Sequence, residues 1–146
     1  MVAAVRRWRR RAVLGTLGGG WTGYGAFGVL SDPRYGTSRG LDSITRHVPM
    51  SVLGWVWVVC GAVAVVAALA PRAHSIQSAG FTALATPAAL WGTCFTIATV
   101  SGAYPKGGGS ACGWLAFALS IVWVSGMDDP PPTGREKART WWTSGR

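Results

Sequence analysis

Charge is what this sequence has least of. Asp, Glu, Lys and Arg make up 13% of its 146 residues, and five residues in all are acidic. Soluble domains carry roughly a quarter charged residues, so an ordinary water-facing surface cannot be assembled from this chain. Asn is missing and Gln77 is the single Gln, a pattern that fits a GC-biased coding background as well as a membrane constraint. Two histidines and three cysteines, with no Cys-x-x-C pair, supply no zinc or haem ligand pattern. Cys60, Cys94 and Cys112 are odd in number and sit in apolar surroundings, which marks them as reduced packing residues. No metal or cofactor is expected.

What the chain does have is apolar length. Hydrophobic residues make up 49%, with 21 Gly and 9 Trp. A helix rising about 1.5 Å per residue needs about twenty apolar residues to cross roughly 30 Å of hydrocarbon. Four intervals meet that length: approximately 12–31, 50–70, 78–100 and 110–127. Met50–Ala70, MSVLGWVWVVCGAVAVVAALA, is the strongest, with 21 residues and no charge. Ser78–Val100 holds five threonines, whose hydroxyls can bond preceding backbone carbonyls, and Pro87, which predicts a kink. Ser110–Met127 is short and spans at small tilt. The first interval is weakened by seven glycines within Gly15–Gly28; a re-entrant segment or a signal peptide is the alternative to a span. No small-x-small cleavage site closes it, so an uncleaved span is expected. The predicted fold class is therefore all-α, an integral membrane bundle of four transmembrane helices (12–127). A basic cytoplasmic terminus (1–11) precedes it and a basic cytoplasmic tail (128–146) follows.

Orientation follows from the Lys and Arg positions. With four spans, ten of them (Arg6, Arg7, Arg9, Arg10, Arg11, Arg72, Arg135, Lys137, Arg139 and Arg146) share one side, and Arg34, Arg39, Arg46 and Lys106 share the other. Short basic connections stay cytoplasmic, which predicts both termini inside. The 32–49 connection, DPRYGTSRGLDSITRHVP, is the largest external segment, suited to capping the bundle or forming a short interfacial helix. In the tail, Arg135, Lys137 and Arg139 precede Trp141 and Trp142, a set of membrane-interface residues in which cations meet phosphates and indoles sit at headgroup depth. A topology-setting tail without an anchoring role is the simpler reading of the same charges.

Small residues at four-residue spacing let membrane helices approach closely. Candidate helix-packing positions are Gly15, Gly19 and Gly23 in the first span, Cys60, Ala64 and Ala68 in the second, and Ala88, Gly92 and Thr96 in the third. Packing within one chain and homo-oligomerisation both fit this spacing. The Gly-x-Gly-x-x-Gly matches at 18–23 and 23–28 lack the strand–turn–helix setting of a dinucleotide site. The span centres contain no Asp, Glu, Lys, Arg or His, which argues against proton-coupled transport. Asp42 and His47 share a loop without a nucleophile or pocket to complete them, so no catalytic residue is assigned and no enzymatic activity is expected.

The order of VRRWRRR, four Gly/Ala/Val/Trp-rich spans such as MSVLGWVWVVCGAVAVVAALA, and the tail DDPPPTGREKARTWW resembles small uncharacterised four-span membrane proteins of high-GC actinobacteria or their phages. The resemblance runs through composition and topology along nearly the whole chain. The expected function is a small integral-membrane structural or accessory protein. Its partners would be the lipid bilayer and either another membrane protein or a second copy of itself, and no nucleic acid. A holin-like pore-forming protein is the alternative, and a small transporter or channel subunit comes behind it.

Overall fold

Glycine does not stop the first helix. In the computed structural model, which describes residues 2–70 and 74–126 with side-chain detail from Arg9 onward except at Tyr35 and His74, α1 (Val2–Gly23) runs through the basic terminus and most of the glycines. It then widens into a π-helical segment, Tyr24–Leu30, on which Ser31 Oγ donates to the carbonyl of Ala26, five residues back, at 2.8 Å. Two short helices follow, α2 (Tyr35–Gly40) and α3 (Asp42–Thr45). Leu41 between them is fully buried and fixes the pair across the end of the bundle. The expected cap is therefore present, as two short helices with a leucine plug.

Proline and glycine set the remaining boundaries. Pro49 precedes α4 (Met50–Leu69), and Pro71 follows Ala70, whose backbone has left the helical region at φ −91°, ψ 89°. α5 (His74–Val100) starts a few residues before the predicted span and ends at Gly102, whose φ of 75° turns the chain out of the helix. A 3₁₀ turn, Pro105–Gly107, leads into α6 (Gly108–Gly126). Pro87 lies inside α5, fully buried, and the helix runs through it.

The four long helices alternate in direction. Gly18 meets Gly61 and Gly25 meets Gly54, which sets α1 antiparallel to α4. Gly80 faces Ala67 and Trp91 faces Trp57, which does the same for α4 and α5, and Gly92 against Leu115 does so for α5 and α6. α1 reaches α6 through long side chains, with Trp21 against Trp114 and Phe117 at one level and Arg10 at another. The result is an all-α up-down-up-down bundle.

Three segments are long and apolar enough to cross a membrane: Met50–Leu69, Ser75–Val100 and Pro105–Gly126. The predicted fourth, over 12–31, does not reach that apolarity. Its glycines bring backbone without hydrocarbon, so a helix of sufficient length falls short in composition. The outward faces of the other helices are oily: Trp55, Val59, Val66 and Leu69 on α4, and Leu119, Val122 and Trp123 on α6, are exposed. Among the described residues no polar or charged side chain is buried.

At one end of the bundle the N-terminal arginines close two helix C-termini. Arg11 Nε donates to the carbonyl of Ala68 at 2.7 Å, and an Arg10 terminal nitrogen donates to that of Ser125 at 3.2 Å. The Arg10 guanidinium also lies 5.3 Å from the centre of the Phe81 ring. The last carbonyls of a helix lack intrahelical donors and carry partial negative charge, so a guanidinium supplies both the missing donors and the complementary charge. The basic terminus is thereby tied to α4 and α6.

Candidate functional site

Five aromatic rings fill the middle of the bundle, and a sixth, the exposed Phe117, packs against them. Trp57 is the hub, with ring centres of Tyr24, Trp21, Trp91 and Trp114 at 4.8, 4.9, 5.1 and 5.3 Å, and Phe117 is 5.0 Å from Trp21. The Trp57–Trp91 planes cross at 89°, an arrangement in which the positive edge of one ring meets the negative face of the other. Trp21 Nε1 donates to the carbonyl of Leu84 at 2.9 Å. That carbonyl lies one residue past Ala83, whose oxygen loses its helical donor because Pro87 has no N–H. The Pro87 region of α5 is thereby tied to α1. The indole N–H groups of Trp57 and Trp91 are buried without an acceptor among the described residues.

Between the π-helical segment and α6, this aromatic floor opens into a recess of about 600 Å³. The π-helical segment contributes Tyr24 and Gly28; Phe95, Tyr104 and Trp114 complete the apolar walls. Its polar rim is Arg34 and Thr37 from the capping helices and Ser110 from the first turn of α6. A β-carbon on Gly28 would make an ordinary contact with the ring of Tyr24, 3.4 Å away. Pockets of roughly 300–1,000 Å³ with apolar walls and a few polar groups are typical of small-molecule and lipid-like ligands. A second, more polar hollow of about 470 Å³ lies beside it against Ser38, Arg39, Asp42, Thr45 and Ala103. There Asp42 pairs with Arg46 at 2.7 Å, and His47 is exposed.

The packing positions read from the sequence distribute unevenly. Around Gly19 and Gly23 there is open space among the described residues, and Gly15 makes an ordinary contact of 3.8 Å with Ala68. The tight seam uses other glycines. A β-carbon on Gly25 would lie 2.7 Å from Cβ of Trp57 and 2.8 Å from the Gly54 carbonyl, and one on Gly61 would lie 2.6 Å from the Gly18 carbonyl. The seam therefore repeats at seven residues on both helices, at 18 and 25 and at 54 and 61, because two crossing helices touch once every two turns. Ala64, Ala68 and Ala88 are in the core, while Cys60 is half-buried. Gly92 packs closely on Leu115, and Thr96 returns its hydroxyl to the Gly92 carbonyl at 2.7 Å. Thr82, Thr86 and Thr99 bond backward in the same way. Arg135, Lys137, Arg139, Trp141 and Trp142 lie outside the described residues.

Cys94 is buried and Cys112 exposed, and neither they nor Cys60 form a disulfide. No group of three or more metal-ligating side chains occurs among the described residues. The recess gave no signal in the sequence, since its residues are drawn from positions 24 to 114 and meet only through the bundle's topology. Compared with known proteins, the chain matches no family model, no curated protein and no solved structure.

Proposed function

We propose that this chain is a small integral-membrane structural or accessory protein with four spans and both termini on the cytoplasmic side. The observation that carries the reading is the bundle axis filled by Trp21, Trp57, Trp91 and Leu84, against an outer surface of exposed Trp, Val and Leu. A solid aromatic core inside an oily jacket suits a protein that sits in lipid and presents its surfaces to neighbours, and it offers no water-lined path along one chain. α1 with its π-helical continuation counts as the fourth span because the two together lie against α4 from Arg11 at one end to Leu30 at the other. Its modest apolarity is compensated where glycine backbones meet α4 and are withdrawn from lipid. Arg10 and Arg11 gather with the C-termini of α4 and α6 at one end, which is the grouping the inside excess of Lys and Arg calls for.

Two measurements test this. Alkaline carbonate should leave the expressed protein in the membrane pellet, and its release would sink the membrane reading. Controlled expression with a potential-sensitive dye should leave the membrane polarised while a specific membrane protein co-purifies. Triggered depolarisation would transfer the case to the holin-like alternative, in which a pore forms between copies.

A further inference from the structure

We infer that the recess between the π-helical segment and α6 is a binding site for an anionic phospholipid, with the phosphate at Arg34 and an acyl chain laid along Tyr24, Gly28 and Trp114. The inference rests on the membrane reading above. Three features of the recess carry it. Its walls are aromatic and its volume of about 600 Å³ exceeds what a solvent molecule needs. Its rim residues Arg34, Thr37 and Ser110 are all hydrogen-bond donors, with no carboxylate among the lining residues. Arg34 makes no side-chain hydrogen bond or ion pair among the described residues, although Asp32 lies two positions away; the carbonyl of Arg34 is engaged in starting α2.

Geometry selects a lipid over a free anion. The rim lies at the end of the bundle, at the level where α5 gives way to Tyr104 and α6 begins, which is headgroup depth for these spans. The apolar walls descend from that rim toward Trp114 and the ring cluster, into acyl-chain depth. A guanidinium over a phosphodiester, with hydroxyl donors beside it, is a charge-assisted arrangement that a choline headgroup matches less well, because its own cation opposes Arg34. The π-helical segment and α6 face each other across the recess through Tyr24 and Trp114, away from the glycine seam with α4, so an acyl chain enters sideways without unpacking that seam.

The test uses the full chain in nanodiscs containing phosphatidylglycerol or phosphatidylcholine analogues with a photoreactive acyl chain, followed by mapping of the labelled peptides. The phosphatidylglycerol probe should label the Tyr24–Leu30 and Trp114 segments preferentially. Arg34→Gln should lower that labelling roughly fivefold, the effect of one basic residue near an anionic surface. Arg34→Lys should keep most of it, and Gly28→Leu should abolish it by filling the recess. Arg34 is exposed, so its variants should keep the parent's helix content and melting temperature. Equal labelling by the two lipids, or full labelling of Arg34→Gln, overturns the proposal. Complete competition by millimolar inorganic phosphate overturns it as well and assigns the rim to a soluble anion. A protein that resists carbonate extraction yet shows no preferred labelling fails this inference alone, whereas one that carbonate releases fails the membrane reading.

Discussion

Gly19 and Gly25, six residues apart in the sequence, should answer the same substitution oppositely. Gly25→Ala drives a methyl group into the backbone of α4, where neither Cβ of Trp57 nor the Gly54 carbonyl can swing away. Thermal unfolding in detergent should show a loss of about 1–3 kcal/mol. Gly19→Ala meets open space and should raise stability by roughly 0.5–1 kcal/mol through helix propensity. If both substitutions are neutral, the seam does not hold α1 to α4. Trp21→Phe keeps the ring in the aromatic cluster but removes the donor to Leu84, and should cost about 1–2 kcal/mol. The four-residue glycine spacing in the sequence pointed to Gly15, Gly19 and Gly23, whereas the close approach falls on Gly18 and Gly25. A run of seven glycines offers several faces at once, and the facing helix selects among them.

Among the elements, α1 changes most between sequence and structure. Its glycines predict weak helicity, yet it is helical from Val2 through Leu30, because packing on α4 and the arginine ties at its start fix what propensity leaves loose. Arg11→Ala should therefore destabilise the bundle by about 1–2 kcal/mol, from one charge-assisted bond and its interaction with the α4 terminus. Arg11→Lys should recover part of this loss. Arg9→Ala, at an exposed position, should stay within about 0.5 kcal/mol of the parent. Equal effects at 9 and 11 would show that net charge, and not the cap on α4, is what the terminus supplies. The limits of α4 and α6 and the end of α5 were legible to within a few residues, since Pro49, Pro71, Gly102 and the break near Gly107 are local backbone signals. The π-helical turn was not, because it reflects how Tyr24 and Gly25 fit against Trp57.

At the scale of the whole molecule, the testable quantity is sidedness. Reporter fusions or cysteine accessibility at the N-terminus, residues 36–44, 73–76, 104–109 and the C-terminus should read inside, outside, inside, outside, inside. An external N-terminus would overturn the orientation, and an internal 36–44 segment would remove α1 from the spans. The same architecture sorts six of the nine tryptophans: Trp21, Trp57, Trp91 and Trp114 join the central cluster, while Trp55 and Trp123 face outward. Sequence alone determined the apolar lengths, the shortage of charge and its gathering between them, because the thickness of hydrocarbon is a constraint each segment meets on its own. Which glycine touches which backbone, which indole is core and which faces outward, and the recess beneath Arg34 were decided only by the tertiary structure. Each depends on the face a neighbouring helix presents, and that face is set by residues far away along the chain.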